Sequence, residues 1–154
     1  MMKRYIGTKI IEAVPAVRLG GTGGEVYEEG QPIPRSMGLR EQGYKVRYPD
    51  GYESWSPKNV FEEAYRPTDA MSFGLAIEAA KKGMRIARRG WNGKGQYVEL
   101  ATGISYTTAD GTVVNTEHQA IGNRALAFVG TSGVQMGWLA SQADMLADDW
   151  EIVE

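Results

Sequence analysis

No cysteine occurs in this chain, and histidine occurs once, at His118. The first absence removes disulfide frameworks, thiolate nucleophiles and zinc–thiolate sites, and it fits a reducing cytosol. The second removes any histidine-cluster metal site by count. His118 stands in the polar stretch "NTEHQAIGN", where a solvent-facing histidine is the common case, and a general base needs both an orienting partner and a nucleophile. No apolar run approaches the roughly 18 residues of a membrane span, and the N-terminus has no signal-peptide core. The chain therefore reads as soluble and intracellular, with no membrane partner. An excess of one charge is also missing. The 17 Lys and Arg stand against 19 Asp and Glu, with a pI of about 5.5, which argues against DNA or RNA as a partner because such domains carry a basic face. "ADDW" supplies only adjacent carboxylates, and in a strand those point to opposite faces. "GGTGGE" has the glycines of a phosphate-binding loop but not its Gly-Lys-Ser/Thr ending, and no helix is expected after it, so it reads as a flexible connector. Enzyme chemistry, cofactor binding and metal binding thus all lack an inventory.

Glycine is plentiful, at 20 of 154 residues against a usual share of about 7%, so many turns are expected. A chain of 154 residues makes one ordinary domain or two small ones, and halves of about 75 residues would each be marginal alone. "KRYIGTKIIEAVPAV" reads as a first strand closed by Pro15. The glycine- and proline-rich stretch from Arg18 to Gly38 reads as a long, partly mobile loop. "YKVRYPDGYESW" is the clearest hairpin, with Tyr44, Val46 and Tyr48 alternating against Lys45 and Arg47, and Pro49-Asp50-Gly51 turning the chain. "SPKNVFEEAYRP" reads as a short helix with Ser56 as N-cap and Pro57 at its first position. Residues 1–67 form a small, mainly β unit on this reading.

A second unit spans 71–154. "SFGLAIEAAKKG" is an amphipathic helix with a capping serine, apolar residues at 73, 76, 77 and 80, and Gly83 as its stop. In "MRIARRG" the alternation puts Met84, Ile86 and Arg88 on one face, so Arg88 rather than Arg89 faces inward and needs an anion. "QYVELA", "TVVN", "RALAFVG" and "WEIV" supply strands. Ser141 caps a short helix with Asp144 as its capping-box partner. Strands flanked by short helices without βαβ alternation give an α+β fold with an antiparallel sheet.

What chemistry remains is stacking and hydrogen bonding. Trp91, Tyr97, Trp138 and Tyr106 have the faces to stack on a planar base, a contact worth about 1–3 kcal/mol. Asn92, Ser141, Gln142 and Asp144 can address amide edges and ribose hydroxyls, and Arg88 or Arg89 can fork onto a pyrophosphate. Residue types alone leave a second reading open and favour it: a tryptophan-anchored core, with Arg88 in a structural ion pair with Asp148 or Asp149. The tryptophan in "RRGWNGKG" is the crux, because a glycine-rich turn is a poor place to bury one.

"MRIARRGWNGKGQYVEL" and "GWLASQADMLADDWEIVE", in that order behind the capped helix, resemble the small phage-encoded Thoeris anti-defence 2 family over residues 71–154. The resemblance implies a non-enzymatic sponge that sequesters cyclic ADP-ribose-type immune signals such as glycocyclic ADP-ribose, in some members cyclic dinucleotides as well. It implies a homotetramer with ligand pockets between subunits, acting in the cytoplasm of an infected bacterial host. On that basis Trp91 and Trp138 stack on the ligand, and Asn92 and Ser141 to Asp144 supply polar contacts. Trp150 packs in the core and one of the two neighbouring aspartates pairs with Arg88. The glycines around Trp91 then let backbone and ligand approach closely. The first 70 residues resemble small modules of phage and prophage proteins with no activity attached.

Overall fold

The computed structural model describes residues 1–35, 38–119 and 123–154. The loop reading at residues 36–37 and the middle of the second unit at 120–122 lie outside them. The chain divides into two compact units, Met1–Tyr65 and Arg66–Glu154. Both are antiparallel sheets with short helices, an α+β architecture.

The first unit is a four-stranded sheet in the order β2-β1-β3-β4, with β1 Glu12–Leu19, β2 Val26–Glu28, β3 Arg40–Arg47 and β4 Glu53–Pro57, followed by helix α1 Lys58–Ala64. Pro15 does not close the first strand. It sits inside β1 opposite Tyr44, and its carbonyl accepts the Glu29 N–H at 2.8 Å. The donor it lacks therefore falls at the end of the short β2 ladder, while the β3 side stays paired. The expected long loop contains β2, and "GGTGGE" is the turn that closes this hairpin. Gly20, Gly21 and Gly23 have positive φ, and the Leu19 N–H meets the Glu25 carbonyl at 2.9 Å. It leads into a strand, so no helix dipole stands behind it for a phosphate. The Pro49-Asp50-Gly51 turn is present, with Gly51 at φ 88 and the Tyr48 N–H on the Tyr52 carbonyl. Ser56 is not the N-cap of α1. Its pairing with Tyr44 keeps it extended, and Pro57 takes the cap position without a side-chain bond. The ring of Phe61 on α1 stacks on Tyr44 at 4.1 Å and Val46 is buried. Trp55 lies over Gly43, where an added Cβ would fall 2.2 Å from the Ser56 carbonyl oxygen and 2.5 Å from the indole; only glycine fits there.

In the second unit a five-stranded sheet runs β10-β9-β6-β5-β11. Its strands are β5 Arg85–Arg88, β6 Tyr97–Ala101, β9 Ala125–Gly130, β10 Gly133–Met136 and β11 Trp150–Val153. A two-stranded ribbon, β7 Tyr106–Thr107 with β8 Val113–Val114, stands apart in pairing. Helix α2, Phe73–Lys81, starts where Ser72 Oγ accepts the Leu75 N–H. It ends in a Schellman-type cap: the Met84 N–H reaches the Ala79 carbonyl and the Gly83 N–H that of Ala80, with Gly83 at φ 93. Ala76, Ala79 and Ala80 are buried, and such small side chains let the helix lie close to the sheet. Ala79 thus joins the expected apolar face, while Phe73 and Ile77 are only partly covered. Backbone bonds between Met71 and Trp150, and from the Ile152 N–H to Thr68, tie the segment before α2 to β11. Trp150 and Ile86, with no exposed surface, centre the core with Val98.

Candidate functional site

Strand alternation sets the site. On β5, Ile86 and Arg88 share a face; on β11 Trp150 is paired with Arg88, and on β6 and β9 Val98 faces Phe128 across the ladder. Trp91 follows β5 in a tight turn whose N–H returns to the Arg88 carbonyl at 3.2 Å. The indole packs edge to face on Phe128, Trp138 and Trp150, with centroids at 5.7, 6.1 and 5.3 Å. Trp138 adds edge contacts to Trp150 and Phe73. Trp91 and Trp138 remain only partly buried. Between them lies an open cleft of about 560 Å³, counted out to solvent, lined by Trp91, Asn92, Gly93, Gln96, Phe128, Trp138 and Asp144.

Asp144 is the polar centre. Its Oδ1 accepts the Arg88 Nη1–H at 3.0 Å and the Trp91 Nε1–H at 3.2 Å, and Oδ2 accepts the Ser141 N–H at 3.3 Å. Its backbone carbonyl takes the Trp150 Nε1–H at 2.8 Å. Ser141 and Asp144 form the capping box of α3, Gln142–Met145. Arg88 also donates through Nε to Asp149 Oδ1 at 2.9 Å, while Asp149 Oδ2 accepts the Gly90 N–H at 2.8 Å. The guanidinium therefore faces two carboxylates, and a pyrophosphate would have to displace one of them. Of the two candidate partners it is Asp149 that pairs with Arg88; Asp148 is exposed. Arg89 points outward to Glu151 and the Asp69 carbonyl.

Burial works to raise the Asp144 pKa, but hydrogen bonds from Arg88, Trp91 and Ser141 outweigh it, and the carboxyl lies below its ordinary 3.8. The Arg88 bond, first among its causes, holds Asp149 below that value too. Depressed folded-state values mean that both groups add stability above the unfolded value and lose it as pH falls through the folded one. Urea melts of the wild type are expected to weaken below about pH 4, and Asp149→Asn to show a smaller acid loss. An equal loss in both would remove Asp149 from this role.

The fold brings Arg88, Trp91, Asn92, Trp138, Ser141, Gln142 and Asp144 to one end of the core. Asn92 and Gln142 are exposed, whereas the Ser141 hydroxyl accepts the Asp144 N–H at 3.1 Å. Tyr97 is not brought there. It alternates with buried Val98, so its ring lies on the opposite face of the sheet, under the Arg85 guanidinium at 4.6 Å. Tyr106 is on the separate ribbon, and His118 stands at φ 56 with Nδ1 3.4 Å from the Ile104 carbonyl. Among the described residues no group of three His, Cys, Asp or Glu could hold a metal ion. No helix there is long and apolar enough to cross a membrane.

Two cleft residues escaped the sequence reading, Gln96 and Phe128. Alternation within "RALAFVG" places Phe128 on the same face as Leu126, but only the β6–β9 pairing puts it beside Trp91. The glycines also have a different purpose from the one expected. A Cβ at Gly90 would come 2.8 Å from Asp149 Oδ2, and one at Gly93 would strike the Gln96 side chain at 1.9 Å. They make room for the protein's own side chains, and Gly95 supplies a φ of 71.

Comparison with known proteins covers this same second unit. The Thoeris anti-defense 2-like domain model matches residues 71–153. Thoeris anti-defense 2 of Bacillus phage SP01 is 38% identical over 88 residues, which is 54% of this chain and 94% of that protein. With more than half its length matched, and with the cleft inside the matched span, the chain belongs to the Thoeris anti-defense 2-like family.

Proposed function

We propose that this protein is a phage anti-defence sponge: it binds a cyclic ADP-ribose-type immune signal, with glycocyclic ADP-ribose as the first choice and cyclic dinucleotides as a second class, and withholds it without cleaving it. The observation that supports this most is the partly exposed pair Trp91 and Trp138, which with Phe128 walls a cleft in a unit of the anti-defence family. Aromatic walls take a base at about 1–3 kcal/mol each, and Asn92 and Gln96 offer amides to its edge. Competing with an immune receptor calls for nanomolar capture, about −12 kcal/mol. Cyclisation of the ligand reduces the freedom lost on binding. The homotetramer belongs to the same reading: a neighbouring subunit over the open side would enclose the ligand more fully than one chain does. The setting is the cytoplasm of the infected host.

One experiment tests the reading. The protein is mixed with glycocyclic ADP-ribose, freed of unbound ligand, heat-denatured, and the supernatant analysed. Intact ligand is the expected result, and its breakdown products would overturn the sponge reading. Retention of no ligand would favour a phage structural or assembly module. The mutual edge-to-face packing of Trp91, Trp138 and Trp150 speaks for that second reading, because it is how tryptophans pack in a core.

A further inference from the structure

We infer that Arg88 and Asp149 are positioning residues for capture: they set the Trp91 wall through Asp144 and the turn backbone rather than touching the ligand. This rests on the proposed role of the cleft. Neither residue lines the cleft, whereas Trp91 and Asp144 do. Yet a closed circuit of hydrogen bonds joins them. Asp149 holds the Gly90 N–H through Oδ2 and the Arg88 Nε through Oδ1. Arg88 carries the circuit to Asp144 Oδ1, and that same oxygen holds the Trp91 indole. Gly90 and Trp91 are consecutive, so the turn is clipped once through its backbone and once through the side chain it presents. The Arg89 N–H on the Asp149 carbonyl at 3.1 Å adds a third clip.

Charge makes the circuit stiff. The Arg88 side chain is 21% exposed, with Asp144 at 15% and Asp149 at 33%, so the ions are partly shielded from water. Hydrogen bonds between ions are short and about twice as strong as neutral ones. An indole N–H alone would leave the ring free to swing about its two side-chain torsions. Anchored on a carboxylate that is itself fixed by Arg88 and by the α3 cap, the ring keeps its edge contacts and its exposed face in place before ligand arrives. The ordering cost is then met on folding instead of on binding. A purely structural ion pair would stabilise the unit without any special dependence on the Trp91 indole, and that difference is measurable.

The test is a double-mutant cycle with a ligand-free readout. Asp149→Asn keeps shape and removes charge; Arg88→Lys is the second variant if it folds poorly. Binding of glycocyclic ADP-ribose is expected to weaken about tenfold in Asp149→Asn and to change little when the same substitution is made in Trp91→Phe, which has no indole N–H to hold. Equal losses in both backgrounds would overturn the inference, as would unchanged binding in Asp149→Asn. Without ligand, the Trp91 indole N–H resonance of the full chain is expected to shift and exchange faster in Asp149→Asn. If wild type holds no ligand, the sponge reading falls while this resonance still decides the inference: an unchanged signal ends it.

Discussion

Trp91→Ala and Trp138→Ala are each expected to weaken retention of glycocyclic ADP-ribose by about ten- to a hundredfold, the value of one lost base stack. Together they should abolish it. Each ring is partly exposed and packs against the core cluster instead of forming its centre. The single variants should therefore remain folded, which circular dichroism and a mass measurement of the assembly would check. Trp91→Phe separates the two contributions of that side chain, because it keeps an aromatic wall and loses only the bond to Asp144. Asn92→Ala, at an exposed amide, should cost less than either tryptophan. If both alanine variants retain ligand at the wild-type level, the cleft is not the binding site.

Trp150→Ala should produce the largest loss of stability in the chain. None of the Trp150 surface is exposed. The ring stacks on Phe73 at 5.4 Å and meets Trp91 and Trp138 edge-on. Its Nε1–H is bonded to the Asp144 carbonyl and its backbone to Met71. Truncating a buried tryptophan costs about 3–5 kcal/mol, a large share of the roughly 5–15 kcal/mol that holds a domain folded. Urea denaturation followed by circular dichroism gives the measurement, with Trp150→Phe as the milder comparison. A midpoint for Trp150→Ala close to wild type would show that the core is centred elsewhere. These two predictions separate neighbouring tryptophans by task, with the two partly exposed rings governing capture and the buried one governing folding.

Much of the fold was legible because its signals are local. Ser72 capping α2 and Gly83 ending it act over one turn, as does the Ser141–Asp144 capping box. The Pro49-Asp50-Gly51 hairpin needs only near neighbours, and two-residue alternation put Arg88 on the inner face. The misreadings share the opposite character. Pro15 stays within a strand, and Ser56 extended, because a partner strand holds each of them. Tyr97 looked like a fourth stacking ring because it is near Trp91 in sequence, but one step of alternation on β6 sends it to the other face.

The sequence by itself determined the family, the α+β class, the caps and turns, and which arginine points inward, since all of these follow from short-range sterics, spacing and matched motifs. Only the tertiary structure decided what Arg88 meets. Its two carboxylates lie 56 and 61 residues further along the chain, and no pattern in the sequence chooses between Asp148 and Asp149 or adds Asp144. The same holds for Gln96 and Phe128 in the cleft and for the task of Gly90 and Gly93, which make room for side chains of the protein itself. The physical reason is register: a one-residue shift in β6, β9 or β11 would leave every local signal intact and take the cleft apart.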